Sequence, residues 1–424
     1  MNRGRPRSAD WNGFQPMEKQ TGKILAACLT GVILFGAAAG IIHTGCQEGK
    51  MAEAIFLNTK IYGDTQNTSY LDVAKKLKGT KAWEQETVLG KNPMPPRTIA
   101  LTKTHLIISY GPVFDVRDRM SGRPLWHREV FSNYAFDLKK EGLVTLDQAG
   151  YYEIINLEGH PSKKLSLPFL GSKTFLFMSQ RLDGSMIYSY QTSPSPVSEP
   201  GQKAQGPFWT FIRLNVEPRN IEWEFVGQGF ALDALLDKSL SFVCIPRTTE
   251  IYLLDPKANS EAGVRIVPFE EVVSCALDHQ GNVLLVEHQE YREDREERFI
   301  LKMIRRNGSP GWEVSLGRAA LTGQPPASHP DGTVYIMEKN QLLCFKEGKE
   351  IWNHGLFAEP GKAWITVLKD GSALVAAGVF FYHISRQGKE LCKVQFDDPV
   401  TCRPVMDESG RVYMAGVRKI FCIQ

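Results

Sequence analysis

One short pattern recurs along most of this sequence: a polar turn that contains glycine, followed at once by an apolar run. The clear copies are KKEGLVTL, LDGSMIYSY, DHQGNVLLV, PDGTVYIM, KDGSALVAA and DESGRVYMA, with glycines at Gly142, Gly184, Gly281, Gly332, Gly371 and Gly410. Weaker copies around Thr104 and Lys238 fill the gaps, which makes eight positions. Short apolar runs separated by turn residues predict an all-β fold.

A second pattern, a turn followed by a short run that often ends in tryptophan, comes later in each unit. Its copies end at Trp126, Trp223, Trp312, Trp352 and Cys392, and degenerate copies lie near Lys164 and Val264. These seven are one fewer than the copies of the first pattern, but a matching piece, GTKAWEQETVL, precedes the first unit around Trp83. From Trp83 to Cys392 the copies are about 44 residues apart on average, a spacing that suits a four-stranded propeller blade.

The copy at Trp83 favours a ring over an open row of hairpins. An open row has no use for a detached outer strand at its N-terminal end, whereas in a ring that strand completes the last unit. A single unit would expose its edges and faces, and packing against neighbouring units buries them. We therefore predict an all-β, eight-bladed β-propeller of four-stranded blades over residues 81–424, in which the strand of Trp83 pairs with the strand ending at Gln424. Hairpin geometry and packing between blades account for the recurring glycines and tryptophans.

The N-terminal part of the chain differs from the rest. Residues 24–42 (ILAACLTGVILFGAAAGII) are 19 residues without a charge, preceded by five basic and two acidic residues. At about 1.5 Å per residue, a helix of this length nearly crosses a hydrocarbon core of about 30 Å, and the basic flank places its N-terminal end in the cytoplasm. We expect a short cytoplasmic basic leader (1–23), a transmembrane signal anchor (24–42) and a stalk (43–80) with a short helix at residues 71–77. The protein would be single-pass in the cell membrane, with its C-terminal domain extracytoplasmic.

Two alternatives to an uncleaved anchor stay open. A lipoprotein signal would make Cys46 the lipidation site, because the residues before it resemble a lipobox, although His43 replaces a small aliphatic residue there. Ordinary cleavage near the alanine-rich end of the apolar run is the other. All three place the body of the protein outside the cytoplasm.

The two recurring patterns together resemble the repeat of the pyrroloquinoline-quinone-like (quinoprotein-like) propellers. The clearest copy is PDGTVYIMEKNQLLCFKEGKEIW at residues 330–352, and the resemblance covers about residues 81–424. That family includes quinone-dependent alcohol and glucose dehydrogenases, and also non-enzymatic members such as the propeller lipoprotein of outer-membrane protein assembly. The resemblance in length, blade count and export is nearest to the non-enzymatic members.

The sequence assigns no catalytic, cofactor-binding or metal-binding residue, and we expect no cofactor. The dehydrogenases of the family often carry an adjacent cysteine pair and hold calcium with Glu, Asn and Asp, and neither feature can be assigned to positions here. The eight cysteines form no CxxC, and the nine histidines show no HxH or HExxH spacing. A formal charge of +3 without a dense basic block gives no case for nucleic-acid binding.

Two insertions lengthen the repeat between its second and third strands. Residues 191–207 (QTSPSPVSEPGQKAQGP) are followed by Phe208 and Trp209, and residues 290–297 (EYREDREE) contain Tyr291 and Arg292. Inserted loops on rigid scaffolds often carry function, so these four residues are a candidate partner-binding rim. The alternative for the charged insertion is a solvated hairpin tip that keeps the protein soluble.

These observations predict a non-catalytic protein-binding or scaffold module of the cell envelope. Its partners would be the membrane and another envelope protein or polymer, with no nucleic acid, and the sequence does not fix the oligomeric state. A factor like the outer-membrane assembly lipoprotein and a quinone-dependent dehydrogenase are the alternatives. Ligand sensing across the membrane through the short leader is a third.

Overall fold

The structure is a computed structural model of the 424-residue chain. It describes residues 70–89, 95–96, 98–110, 113–129, 132–137, 142–147, 151–166, 174–180, 186–192, 208–215, 220–228, 235–237, 243–255, 264–291, 296–317, 324–357 and 363–424. No helix within these ranges is long and apolar enough to cross a membrane. The expected anchor at residues 24–42 and the candidate lipidation site Cys46 lie outside them.

Every regular element in the described ranges is a strand. The first half contains β1 (Tyr70–Leu71), β2 (Lys81–Glu86), β3 (Thr98–Leu101), β4 (His105–Ser109), β5 (Val113–Asp118), β6 (Pro124–Glu129), β7 (Ser132–Asp137), β8 (Gly142–Asp147), β9 (Tyr151–Asn156), β10 (Pro161–Ser166), β11 (Thr174–Gln180), β12 (Met186–Thr192), β13 (Phe208–Asn215), β14 (Asn220–Gln228), β15 (Leu235–Leu236), β16 (Val243–Pro246), β17 (Glu250–Leu254) and β18 (Val264–Pro268). The second half contains β19 (Glu271–Leu277), β20 (Val283–Tyr291), β21 (Glu296–Ile304), β22 (Pro310–Leu316), β23 (Ala327–Ser328), β24 (Thr333–Glu338), β25 (Gln341–Lys346), β26 (Lys349–Gly355), β27 (Ala363–Leu368), β28 (Ala373–Ala377), β29 (Phe380–Ile384), β30 (Glu390–Gln395), β31 (Val405–Met406), β32 (Val412–Ala415) and β33 (Lys419–Ile423).

Within the described part of the chain these strands form eight sheets, each built on an antiparallel meander of consecutive strands. The first to sixth sheets are β3–β6, β7–β10, β11–β14, β15–β18, β19–β22 and β23–β26. The seventh is β27–β30 with β1 added at the β27 edge, and the eighth is β31–β33 with β2 added at the β33 edge. The predicted all-β class and four-stranded unit are therefore confirmed.

Strand β2 completes the eighth sheet by pairing with β33, which lies near the other end of the chain. The two strands are antiparallel, with Trp83 opposite Cys422 and Glu86 opposite Lys419. Beyond the ladder, the amides of Lys78 and Thr80 both donate to the carbonyl of Gln424 at 3.1 Å. The predicted pairing of the Trp83 strand with the C-terminal strand is confirmed.

Burial changes across the seventh sheet in the way the sequence pattern requires. The second strand β28 (ALVAA) is buried at all five positions, whereas the fourth strand β30 (ELCKVQ) alternates between exposed and half-buried residues. The second strand is covered on both faces by neighbouring sheets, so its sequence is a continuous apolar run. The fourth strand has one solvated face, so its sequence alternates.

Tryptophans of the fourth strands pack against the next sheet along the chain. Trp352 of the sixth sheet lies over Gly388 of the seventh, where an added Cβ would be 2.7 Å from Cδ2 of the indole. The Trp352 Nε1–H also donates to the Arg386 carbonyl at 2.8 Å. Trp126 of the first sheet repeats this contact with Gly159 of the second. The predicted packing role of these tryptophans between units is confirmed.

Residues 70–80 form a segment that we call the N-terminal strap. Strand β1 pairs in parallel with β27, with Tyr70 opposite Val367, and the Lys369 amide donates to the Val73 carbonyl at 2.9 Å. Leu71 and Leu77 are both 4% exposed and belong to one core cluster with residues of the first, seventh and eighth sheets. The helix expected at residues 71–77 is therefore wrong. An extended backbone gives these two leucines and the Val73 carbonyl partners on the sheets, which a short isolated helix lacks.

Candidate partner-binding site

Long hairpins distinguish the third and fifth sheets. In the described ranges the only nine-residue strands are β14 in the third sheet and β20 and β21 in the fifth. The insertion of the third unit follows β12 and precedes β13, and that of the fifth joins β20 to β21. Both therefore fall between the second and third strands, as the sequence predicts. Residues 193–207 and 292–295 of these loops lie outside the described residues.

The predicted rim residues lie at the ends of these long strands, on different sheets. Phe208 and Trp209 begin β13, opposite Thr192 and Gln191 of β12. Tyr291 ends β20 and pairs with Glu296, which closes the hairpin of the fifth sheet. The side chains of Phe208, Trp209 and Tyr291, and all of Arg292, lie outside the described part of the structure.

Three aromatic rings and one lysine meet between the sixth and seventh sheets: exposed Phe357, half-buried Phe380, buried Tyr382 and exposed Lys393, which we call the aromatic cluster. Phe357 follows β26 and is 71% exposed, the highest value among the large hydrophobic side chains of the described residues. Its ring centroid lies 6.4 Å from that of Phe380, the first residue of β29, which in turn lies 6.2 Å from Tyr382. Phe380 starts the strand that follows the hairpin of the seventh sheet, so the cluster lies at a second-to-third-strand connection, like the two insertions.

Lys393 holds its ammonium over all three rings of this cluster. Its Nζ lies 4.0 Å from the ring centroid of Phe357, 4.7 Å from that of Phe380 and 5.3 Å from that of Tyr382. Lys393 is opposite Tyr382 in the pairing of β30 with β29, so the sheet register brings the cation to the rings. Each exposed cation–π contact is worth about 0.5–1 kcal/mol.

Tyr382 fixes the backbone of Phe357. Its hydroxyl accepts a hydrogen bond from the Phe357 amide at 2.9 Å and donates to the Phe357 carbonyl at 3.3 Å. Tyr382 itself is 1% exposed and is therefore held by the core. A buried, rigid residue thus presents an exposed aromatic ring to solvent, which is the arrangement of an anchor residue at protein interfaces.

Sequence reasoning missed the aromatic cluster because the segment that carries Phe357 and the turn before Phe380 are no longer than in a repeat without an insertion. The search for functional loops used insertion length, and this connection keeps the ordinary repeat length. One signal was present in the sequence: VFFYHI carries two successive phenylalanines where the corresponding strand of the sixth unit begins with QLL. A third strand that begins with an aromatic residue also occurs at Phe208 and Trp209.

One Ser–His–Asp group occurs in the seventh sheet, but its connectivity does not suit catalysis. His383 Nε2 lies 3.0 Å from Ser372 Oγ, and Ser372 Oγ donates to Asp370 Oδ1 at 2.6 Å. In a catalytic triad the carboxylate orients the histidine, whereas here it holds the serine in its turn. His383 is 2% exposed, and burial lowers the pKa of its imidazole. We assign this group a structural role in the turn between β27 and β28.

The sequence resemblance implies a cofactor site in which Glu, Asn and Asp would hold calcium, and the described residues assign no such set of ligands. Nowhere in the described ranges do three or more His, Cys, Asp or Glu side chains come together in a way that could hold a metal ion. The sequence also contains no adjacent cysteine pair. The six cysteines of the described part, Cys244, Cys275, Cys344, Cys392, Cys402 and Cys422, are all free thiols.

The sequence matches no family model and no curated protein. Solved structures do match its fold. BamB from Moraxella catarrhalis superposes with a TM-score of 0.53 at 12% identity, over 81% of this chain and 97% of that one. A quinohemoprotein alcohol dehydrogenase from Comamonas testosteroni superposes with a TM-score of 0.55 at 10% identity, over 88% of this chain and 81% of that one. At these identities the likeness concerns the fold alone. The chain therefore has a β-propeller fold, as its repeats indicate.

Proposed function

We propose that this chain is a membrane-tethered, extracytoplasmic propeller that acts as a non-catalytic protein-binding or scaffold module of the cell envelope. The observation that carries the proposal is the aromatic cluster, in which Phe357 is 71% exposed and held in place by a buried tyrosine. An exposed apolar group on a rigid support is costly in water, and interfaces use such groups as anchors. The rigid sheets would present this surface to a partner without chemistry of their own.

The eight sheets of the described residues are, in this proposal, the eight blades of one closed ring. Two observations support closure. Strand β2 completes the eighth sheet, and Trp83 on that strand packs against Gly122 of the first sheet in the same way that Trp352 packs against Gly388. The joint between the first and last sheets is thus built like a joint between neighbours.

The tether rests on the sequence of residues 24–42 and on the basic leader before it. Mass spectrometry of the mature protein would distinguish the alternatives. An uncleaved anchor keeps residues 1–23, a lipoprotein begins at an acylated Cys46, and an ordinary signal peptide leaves an unmodified N-terminus after the apolar run. We expect the uncleaved form.

Site-specific photo-crosslinking in native membranes tests the binding function. A photoreactive amino acid at position 357 should crosslink to a protein or an envelope polymer. The matched control is position 391, because Leu391 is also an exposed hydrophobic residue, at 52%, and lies on the fourth strand of the seventh sheet. Crosslinks confined to position 357 would support the proposal, whereas none at 357, or the same products at both positions, would contradict it.

The predicted rim is tested separately. Alanine substitution of Phe208, Trp209, Tyr291 and Arg292 together should weaken capture of the partner found at position 357, if all these connections share one binding surface. Retention of every partner by this variant would exclude the four residues from the site. The proposal for the aromatic cluster would then stand alone.

Two alternatives make different predictions. A factor like the outer-membrane assembly lipoprotein would crosslink at position 357 to a component of the outer-membrane β-barrel assembly machinery. A quinone-dependent dehydrogenase, which the shared fold with the Comamonas testosteroni enzyme keeps as a candidate, would reduce a dye in the presence of alcohol after addition of pyrroloquinoline quinone and Ca²⁺. We expect no dye reduction, and reduction above the buffer control would reverse our ranking.

A further inference from the structure

We propose that β27, the first strand of the seventh sheet, is a strand-addition site for an extended peptide of a partner protein, and that the N-terminal strap occupies this site as an autoinhibitory segment. The peptide would carry an aromatic residue followed by leucine. The site lies at the β27–β28 turn, whereas Phe380 of the aromatic cluster lies at the other end of β28. The inference therefore goes beyond the proposed function.

Strand β27 differs from the other first strands by what lies on its open edge. Within the described part of the chain, it alone among the first strands of the eight sheets has a further strand on that edge. Strand β1 pairs with it in parallel, with Tyr70 opposite Val367. Without β1, this edge would present unpaired backbone N–H and C=O groups, which strand addition uses for affinity. Side-chain contacts beside the edge then supply the selectivity.

Tyr70 is the aromatic anchor of the seated strand. Its ring stands edge-on to the ring of His279, with centroids 4.7 Å apart, and to the ring of His329 at 5.8 Å. His279 lies in the turn after β19 and His329 directly follows β23, so the tyrosine ring contacts both the fifth and the sixth sheets. Distances of this size are those of favourable edge-to-face ring pairs. A seat between two imidazole rings selects a flat aromatic side chain.

Leu71 is the second anchor, and an acidic residue follows it. The leucine is 4% exposed and belongs to the same core cluster as Leu368 of β27. The Lys369 amide donates to the Val73 carbonyl at 2.9 Å, and the Lys369 ammonium lies 3.1 Å from the carboxylate of Asp72. Both side chains of that ion pair are exposed, so it contributes at most about 1 kcal/mol. The strap thus shows what the site accepts: an aromatic residue and a leucine in an extended segment.

The two halves of the strap are held by different partners. Residues 70–73 contact the turns of the fifth to seventh sheets, whereas the amides of Lys78 and Thr80 bond to Gln424 of the eighth. Lys75 and Lys76 between them are exposed. Release of the first half therefore leaves β2 paired with β33. Because the strap is part of the same chain, it competes with a partner at an effective concentration of the order of millimolar.

The test uses the fluorescein-labelled peptide SYLDVAK, the sequence of residues 69–75, and the full-length protein in detergent. Fluorescence anisotropy compares its affinity for the wild type and for two release variants. In Tyr70→Ser the strap loses its aromatic anchor, so we expect the peptide to bind about tenfold more tightly than to the wild type. Asp72→Lys places a cation against Lys369 and should give a smaller gain, about two- to threefold. Tyr70→Phe, which keeps the ring, is the matched control and should behave like the wild type.

A second peptide, SSLDVAK, tests the aromatic seat. It should bind to Tyr70→Ser about tenfold more weakly than SYLDVAK does. With p-benzoylphenylalanine in place of its tyrosine, the first peptide should crosslink to the segments around His279 and His329. Unfolding curves check that each variant folds, and Asp72→Lys changes only an exposed side chain, so it keeps the test decisive if Tyr70→Ser is unstable.

Four outcomes would each overturn the inference: equal affinity of SYLDVAK for the wild type and both release variants, no binding to the release variants, equal affinity of SSLDVAK, or crosslinks confined to other sheets. None of them bears on position 357, where crosslinking tests the proposed function at the other end of the strands. Loss of crosslinking specificity at position 357 would remove the proposed function and leave the β27 site standing.

Discussion

The indole of Trp83 lies directly against Gly122, so that a Cβ on Gly122 would be 2.7 Å from Cε3 of Trp83. Trp83 belongs to β2 of the eighth sheet, and Gly122 lies in the turn before β6 of the first. The contact therefore joins the two ends of the array of sheets. Gly122 has a φ of +72°, a conformation that residues with a Cβ adopt only with strain.

Gly122→Ala should destabilise the protein strongly. The substitution combines backbone strain at positive φ with a steric clash against Trp83, so we expect the free energy of unfolding to fall by about 2–4 kcal/mol. Gly332→Ala is the matched control, because Gly332 has a φ of +85° but nothing lies within 4 Å of an added Cβ. It should lose only about 1 kcal/mol. Equal losses in urea unfolding would show that the Trp83 contact adds nothing to stability.

The N-terminal strap should contribute to stability. Leu71→Ala and Leu77→Ala each remove a buried side chain from the core cluster, and we expect each to lower the free energy of unfolding by about 2–4 kcal/mol. Lys76→Ala, at an exposed position between them, should change it by less than about 0.5 kcal/mol. If both leucine variants behaved like Lys76→Ala, residues 70–80 would be a free stalk in solution.

Arg117→Met should leave the Asp115 carboxylate buried without its cationic partner, near the contact between the first and eighth sheets. Arg117 is 1% exposed, and its guanidinium donates to Asp115 Oδ2 at 2.8 Å, to the Gly122 carbonyl at 3.1 Å and to the Glu86 carbonyl of β2 at 2.7 Å. Burial raises the pKa of Asp115, although the guanidinium opposes this. Loss of the cation should cost about 3–5 kcal/mol of unfolding free energy.

A second variant separates charge from packing at this joint. In the double variant Asp115→Leu with Arg117→Met the buried carboxylate is also removed, so a large part of the lost stability should return. Chemical unfolding of the single and double variants gives the coupling between the two residues. If the double variant were less stable than Arg117→Met, the hydrogen bonds to Glu86 and Gly122 would be the main contribution of Arg117.

Asp331 should make stability depend on acid pH. Burial raises the pKa of this carboxyl, but hydrogen bonds from Thr333 and His329 outweigh burial and hold the pKa below its ordinary value. Because the folded pKa is lower than the unfolded value of about 3.9, the stabilisation is present above that value and is lost as the pH falls through the folded pKa. Asp331→Asn should therefore cost about 1–2 kcal/mol at pH 7 and progressively less below about pH 4. Glu158→Gln, at an exposed site, is the control for a general effect of charge; a pH-independent loss in Asp331→Asn would contradict the assignment.

Three buried thiols should resist alkylation in the folded protein. Burial raises the pKa of Cys344, Cys402 and Cys422 to about 12, so at pH 8 only about one in ten thousand of these groups is thiolate. Iodoacetamide followed by mass spectrometry should label them only after unfolding in urea. Rapid labelling of the folded protein would contradict their burial, and failure to label in urea without reductant would reveal disulfides.

The array of sheets could be predicted because each of its determinants is local in sequence. A turn, an apolar run and a tryptophan at a fixed distance recur in every well-preserved unit, and the same spacing placed Trp83 in the register of a fourth strand. Even Cys392, which replaces tryptophan in the seventh unit, packs as the spacing implies, since an added Cβ on Gly79 would lie 3.2 Å from Cys392 Cβ. One turn glycine departs from the expectation: Gly142 is already the first residue of β8 rather than a turn residue of positive φ.

The strap and the aromatic cluster depend on contacts between distant parts of the chain. The apolar spacing of residues 71–77 fits one helical face, but the same leucines also fit an extended segment once the first, seventh and eighth sheets surround them. Nothing local to Tyr70 indicates that its strand adds to β27, far along the chain. Similarly, the exposed ring of Phe357 is held in place only because Tyr382 and Lys393 of the next sheet contact it.

The pairing of β2 with β33 also sets the order of events during synthesis. A chain made from its N-terminus must keep residues Lys81–Glu86 without their partner strand until Lys419–Ile423 have been made, so the eighth sheet forms last. An unpaired strand edge invites association with the wrong chain during that wait. The strand KAWEQE carries Lys81, Glu84 and Glu86, and charged side chains on an edge discourage such association. The residues of β2 that complete the eighth sheet are thus also suited to remain soluble before their partner strand is made.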